Sequence, residues 1–158
     1  MKKTDLAYLA GVLDSDGTIG VKKSTYAVRV TKDSKQPTYS ERLSVRQVAP
    51  QAVDLFRDLF GGSRYLTKSS AKRGKSLQTW AATDLRAATV LRSLRPHIRI
   101  KALQADNALS LRIVKDKSKK VRVARGRGHQ GSAPRPAELS TLMEQHYQTA
   151  KRLNRVGV

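Results

Sequence analysis

Leu6-Ala7-Tyr8-Leu9-Ala10-Gly11-Val12-Leu13-Asp14-Ser15-Asp16-Gly17 is an apolar, small-residue stretch that runs straight into two acids. It reads as a helix capped by Thr4 or Asp5, reaching about Asp14 and broken at Gly17. The chain holds 32 Lys+Arg against 12 Asp+Glu, so two acids within three residues need a reason. The last turn of a helix is unfavourable for them, because the macrodipole gathers partial negative charge there. Carboxylates held against that field point to a bound cation. In a strongly basic chain, which attracts phosphate, the pattern implies a divalent metal at a nucleic-acid backbone.

Along this helix Ala7, Gly11 and Asp14 or Ser15 share one face, while Leu6, Leu9 and Leu13 form a bulkier one suited to a core. A strip without side-chain bulk lets another helix approach closely, and a second copy of the chain is a natural occupant. After Gly17 the period becomes two. Thr18 to Lys22 is expected as a strand with Ile19 and Val21 inward, continued or paired by Tyr26 to Thr31. A turn follows at 32–37. In a strand over Ser40 to Val48, Leu43 and Val45 oppose Arg42, Ser44 and Arg46. Pro50 opens a helix to Phe60 that Gly61-Gly62 ends. A strand pair at Arg64 to Lys68 and Leu77 to Thr83 precedes a helix capped by Thr83 or Asp84 and stopped by Pro96. A further helix is expected over Ala102 to Val114. The pattern is α+β with an antiparallel sheet and no internal repeat.

Three units are expected: a core over 1–114, a basic mobile loop over 115–136, and a C-terminal helix over 137–158 packing on that core. The length of 158 residues suits one domain. The formal net charge of +20 favours polyanions, with counterion release at each phosphate neutralised. No apolar run approaches the roughly 20 residues of a membrane-spanning helix, and the first residues do not resemble a signal peptide. An intracellular setting is expected, in an organelle or in bacterial or phage cytoplasm. With no cysteine, thiolate metal sites and disulfides are excluded. His97, His129 and His146 lack metal-ligand spacing, and Trp80 is expected in the core.

Leu9-Ala10-Gly11-Val12-Leu13-Asp14-Ser15-Asp16-Gly17 resembles the LAGLIDADG motif, identical at six of nine positions. That motif names a family of homing endonucleases, some of whose relatives act as RNA maturases. The strand ending at Gln47, the helix ending Leu59-Phe60-Gly61-Gly62, and Pro96-His97-Ile98-Arg99-Ile100-Lys101 are similar to single-motif members. The resemblance covers residues 5 to about 114. It implies an αββαββα domain with an antiparallel DNA-binding sheet, plus extra C-terminal helices. It assigns catalysis to Asp16, Gln47 and Lys101, and metal to the Asp16 carboxylate and the Ser15 backbone carbonyl. Asp14 would cap or structure the helix interface, and Ala7, Ala10, Gly11 and Asp14 would form a dimer contact. A family arginine falls on Gln51 here, leaving Arg46 or Arg99 as substitutes.

One acid per chain is a poor metal site, so the resemblance implies a two-fold homodimer bringing two Asp16 carboxylates together. Mg²⁺ would be the cofactor, with Mn²⁺ substituting and Ca²⁺ binding without cleavage. The partner would be a long pseudo-palindromic double-stranded DNA, cut to leave 3′ overhangs at the copy of a host gene that lacks the intron or intein. Antiparallel strands fit the major groove. Thr18, Lys22, Ser24, Thr38, Ser40, Arg42, Ser44 and Arg46 are the expected DNA-binding set. Arg64, Lys68, Lys72, Arg73, Lys75 and Gln78 extend it. The alternative is a non-cleaving binder on the same fold, either a maturase with intron RNA as partner or a DNA-binding regulator. A ribosome-associated basic protein would explain the charge but gives Asp14 and Asp16 no role.

Overall fold

The structure, a computed structural model, describes residues 2–24, 36–68, 74–123 and 135–155. The expected strand over Tyr26 to Thr31 lies outside them. Helix α1 (Lys3–Asp16) leads without a loop into β1 (Gly17–Ser24), followed by β2 (Thr38–Gln47), α2 (Gln51–Phe60), β3 (Ser63–Thr67) and β4 (Leu77–Thr83). Then come α3 (Asp84–Leu94), a 3-10 turn (Arg95–His97), α4 (Ala102–Val123) and α5 (Ala137–Arg155). The strands form one antiparallel sheet in the order β1-β2-β4-β3. This is the αββαββα order with two further helices, the α+β architecture expected.

Period-two alternation decides the layering. Ile19, Leu43, Val45, Trp80 and Ala82 point to the helices and are buried, whereas Thr18, Lys22, Arg42 and Arg46 are exposed on the opposite face. Leu9, Leu13, Phe56, Leu91 and Leu94 close the core from α1, α2 and α3. Fully buried Trp80 stacks on Phe56 with ring centroids 4.5 Å apart, and its indole N–H donates to the Gly61 carbonyl at 2.8 Å. Burying such a ring contributes about 2–3 kcal/mol, and the bond keeps its one polar atom satisfied. A smaller apolar cluster joins Tyr39 of β2 to Leu111 and Val114 of α4 and Met143 of α5.

Helix α4 corrects the first part of the expected loop over 115–136, because residues 115–123 continue the helix, while 124–134 lie outside the described residues. No Gly or Pro interrupts that stretch, and its charges have partners. Arg112 and Glu41, both fully buried, meet at 2.5 Å, and Lys115 reaches Glu41 at 3.0 Å. Arg112 and Lys115 also hold Asp84. Asp84 opens α3 with φ 55, a left-handed conformation that Asp tolerates better than most residues. Burial opposes its ionisation, but hydrogen bonds from Lys115 and Arg112 outweigh it and hold the carboxyl at about 2. Removing Arg112 would leave Glu41 short of its closest counter-charge in the interior, a costly arrangement. Helix α1 starts at Lys3, ahead of the expected caps, whereas α3 has Thr83 at its N-cap as expected; neither makes a side-chain cap bond. Among the described residues, no helix is long and apolar enough to cross a membrane.

Candidate active site and nucleic-acid interface

The direct passage from α1 to β1 builds the site. A Cβ on Gly17 would lie 2.5 Å from Leu13 Cδ1 and 2.6 Å from the Leu13 carbonyl oxygen, so only glycine lets the strand leave the helix this closely. Asp16, the last helical residue, is exposed at that junction. The register Gly17↔Val45 sets the end of β2 beside it, and Gln47 Nε2 donates to Asp16 Oδ2 at 3.0 Å.

Asp14 is only 8% exposed and faces the turn after α3. Its carboxylate accepts the backbone N–H groups of Arg99 at 2.7 Å, Ile100 at 3.2 Å and Lys101 at 3.0 Å. The same turn returns a cation: Lys101 Nζ donates to the carbonyls of Leu13 at 3.0 Å, Ser15 at 3.2 Å and Gly17 at 2.8 Å. Those bonds use all three ammonium donors. Burial pulls the Lys101 pKa below its ordinary value, against the opposing charges of Asp14 and Asp16. The electrostatic conflict at the end of α1 is therefore relieved for Asp14 by peptide N–H groups, and for the helix carbonyls by an ammonium. Only Asp16 is left facing outward.

The Ser15 hydroxyl turns back to the Val12 carbonyl at 3.3 Å, leaving its backbone oxygen on the Lys101 side. Carbonyls converging on an ammonium, beside an exposed carboxylate, form a hard-oxygen setting that suits a cation. One chain alone falls short of a metal cage: among the described residues, no group of three or more His, Cys, Asp or Glu is placed to hold a metal. His146 is half-buried on α5, where burial lowers its pKa, and its Nδ1–H donates to Asn107 Oδ1 at 2.9 Å.

The strip on α1 divides. Ala7 and Gly11 are exposed, and a Cβ on Gly11 would meet nothing within 4 Å. Ala10, expected on the same contact, is fully buried in this chain's own core, and Asp14 is occupied by the 99–101 turn. Tyr8, 52% exposed, stands beside the smooth surface instead.

The uncovered sheet face gathers Thr18, Lys22, Ser24, Thr38, Ser40, Arg42, Ser44 and Arg46, all on one side by register. Ser44 is nearly buried among them. Lys68 and Lys75 are exposed at the ends of β3 and β4, and Lys72 and Arg73 lie outside the described residues. Arg64 and Gln78 are corrected: both share the Trp80 side, where Arg64 Nε meets Asp54 of α2 at 2.6 Å and Gln78 pairs with Gln47. On β3 the open face belongs to Ser63, Tyr65 and Thr67, with Tyr65 43% exposed. Alternation from Ser63 would have found Tyr65; choosing by charge missed it. Over Asp16 and this face runs a groove of about 660 Å³, and its other wall is the end of α5, with Lys151, Asn154 and Arg155.

Solved structures share this fold. The homing endonuclease I-CvuI, in complex with the I-CreI target in the presence of Mg, superposes with TM-score 0.55 at 15% identity over 94% of this chain and 96% of its own. The homing endonuclease I-TnaI gives TM-score 0.58 at 12% identity, over 95% and 93%. Meganuclease I-SmaMI, bound to uncleaveable DNA, gives TM-score 0.60 at 12% identity over 92% of this chain but only 45% of its own.

The chain has the fold of the LAGLIDADG homing endonucleases.

No protein-family model and no curated protein matches the sequence itself, so the likeness is one of fold. A further solved relative, I-GzeII, is described as a LAGLIDADG homing endonuclease in complex with its DNA target. I-CvuI has also been solved with its own target in the presence of Ca. In this fold Asp14 and Asp16 are the two acids at the end of α1, and the open sheet face is polar.

Proposed function

We propose that this chain is a site-specific double-strand DNA endonuclease that works as a two-fold homodimer on a pseudo-palindromic target. The observation that carries this reading is Asp16. It is exposed at the end of the motif helix, bonded to Gln47, in a groove whose floor is the basic polar face of the sheet. The dimer is supported by Gly11. Glycine in mid-helix costs about 0.5–1 kcal/mol relative to alanine, and nothing within 4 Å requires it in the single chain. A second α1 packed on Ala7 and Gly11 gives it a reason and brings two Asp16 carboxylates together. This chain also matches less than half of I-SmaMI, a gap that a second copy would fill.

Asp16 from each copy, with the Ser15 carbonyl, would hold divalent ions, Mg²⁺ first and Mn²⁺ in its place. Bound there, they supply charge neutralisation at the scissile phosphates and activation of water. Gln47 orients the Asp16 carboxylate, and Lys101 fixes the carbonyl end of α1. Arg42, Arg46 and Lys22 neutralise phosphates or meet base edges while the strands lie in the major groove. Cutting both strands about a two-fold axis leaves 3′ overhangs. Such a protein acts where its DNA is, in an organelle or in a bacterial or phage cytoplasm.

A cleavage selection on a large duplex pool in Mg²⁺ tests the reading, run beside Asp16→Asn and a Ca²⁺ control. A pseudo-palindromic site cut only by the wild type in Mg²⁺ is expected, with Asp16→Asn still binding it. Enrichment by binding without any cutting would move the assignment to a regulator or maturase.

A further inference from the structure

The groove over Asp16 has a wall that the sheet does not supply. Its floor carries Arg42 and Arg46, and its side is the last turn of α5, with Lys151, Asn154 and Arg155. That turn is fixed to the sheet. Asn154 Nδ2 donates to the Ile19 carbonyl at 3.1 Å, and among the described residues β1 is an edge strand, so the helix end covers part of its margin. Gly20 keeps the approach clear, since a Cβ there would already stand 3.4 Å from the Asn154 amide nitrogen. Ala150, one turn back, is buried, which seats the helix against the domain.

Lys151 and Arg155 are four residues apart, hence on one side of the helix, and both are exposed. Neither is held by a carboxylate where other cations are, although Lys151 Nζ lies over the Tyr147 ring, 5.6 Å from its centroid. Lys23, Arg64, Arg95, Arg112 and Lys115 each meet a carboxylate, whereas among the described residues Lys151 and Arg155 form no ion pair. Beside the sheet rather than on it, they stand clear of the strands that would read base edges. Two cations without a carboxylate partner in that position suit the backbone of a duplex lying on the sheet.

We propose that the last turn of α5 is a phosphate grip, in which Lys151 and Arg155 hold backbone phosphates flanking the Asp16 centre and Asn154 latches the turn to β1. The proposal deepens the DNA reading of the sheet and rests on it.

The test uses the full chain and a duplex, with affinity followed by fluorescence anisotropy as salt is varied. Lys151→Gln/Arg155→Gln should lower the slope of log K against log salt by about 0.9 for each lost phosphate contact, about 1.8 per chain. For each chain the affinity ratio between about 50 and 200 mM salt then shrinks roughly tenfold, and on the order of a hundredfold for a two-fold dimer on one duplex. Lys119→Gln/Lys120→Gln removes the same charge from an exposed part of α4 outside the groove and should change the slope little. Asn154→Ala keeps every cation and should still lower the slope part-way, because the turn is no longer held. An unchanged slope in the α5 pair overturns the grip, as does an equal fall in the α4 pair. If the double variant does not fold, each single variant should lose about half the effect, and two unchanged singles overturn it equally. A wild type that binds no duplex at low salt is a different failure: it removes the DNA surface, and the grip with it.

Discussion

Asp14→Ala and Asp16→Asn should separate two acids that stand two residues apart. Asp14, 8% exposed, accepts three backbone N–H groups at 2.7, 3.2 and 3.0 Å. Hydrogen bonds to a charged acceptor contribute about 1.5–3 kcal/mol each. Two good bonds at the low end give about 3 kcal/mol, and the long bond to Ile100 adds little. Against this, removing a negative charge from a helix C-terminus recovers about 0.5 kcal/mol. The Asp14→Ala chain should therefore lose about 2.5 kcal/mol, on the order of 5–10 °C in Tm for a chain of this size. Asp16 is exposed and holds only the Gln47 amide, so Asp16→Asn should stay within about 0.5 kcal/mol of wild type. Urea and thermal melts followed by far-UV circular dichroism, without DNA, measure both. An Asp14→Ala chain that melts within about 2 °C of wild type would refute the clasp between α1 and the 99–101 turn. So would an Asp16→Asn chain that loses as much stability as Asp14→Ala.

Gly11→Leu should leave the single chain as stable or slightly more so, since leucine is the better helix former and nothing stands within 4 Å of the new Cβ. Sedimentation of its DNA complex should nonetheless give half the wild-type protein mass, and an intact dimer would discredit Gly11 as the contact. Acid should weaken the α5 attachment: hydrogen bonds from Lys23 and Tyr39 hold Glu144 at about 2, below its ordinary 4.5. A depressed carboxyl stabilises fully above its unfolded pKa and loses that contribution as pH falls through its folded one. Wild-type Tm should thus drop between about pH 5 and 2, and Glu144→Gln should flatten part of that fall; parallel curves would count against it.

Much of the fold was legible because it rests on periodicity. The alternation of Leu43 and Val45 with Arg42, Ser44 and Arg46 places β2 with its apolar side on the helices. The α1–β1 junction was marked by Gly17, whose necessity is local. Charge was the less trustworthy guide. Residues 115–123 looked like a solvated loop, yet they continue α4, since Lys115 finds Glu41 and Asp84, and Ser118 is buried. Arg64 looked like part of the DNA-binding strand face, yet strand parity turns it toward Asp54.

The sequence by itself determined the motif helix, its two acids, the strand faces and the polyanion-seeking charge, because these depend on neighbours within a few positions. Only the tertiary structure decided what Asp14 holds. Asp14 became a structural acceptor when a turn more than eighty residues later brought three N–H groups to it, and Lys101 from that turn met the carbonyls of Leu13, Ser15 and Gly17. The end of α5 entered the groove through a bond to Ile19 that joins residues 135 positions apart. Contacts at such separations leave no periodic trace in the chain: they depend on how finished elements pack, and packing is not a local property.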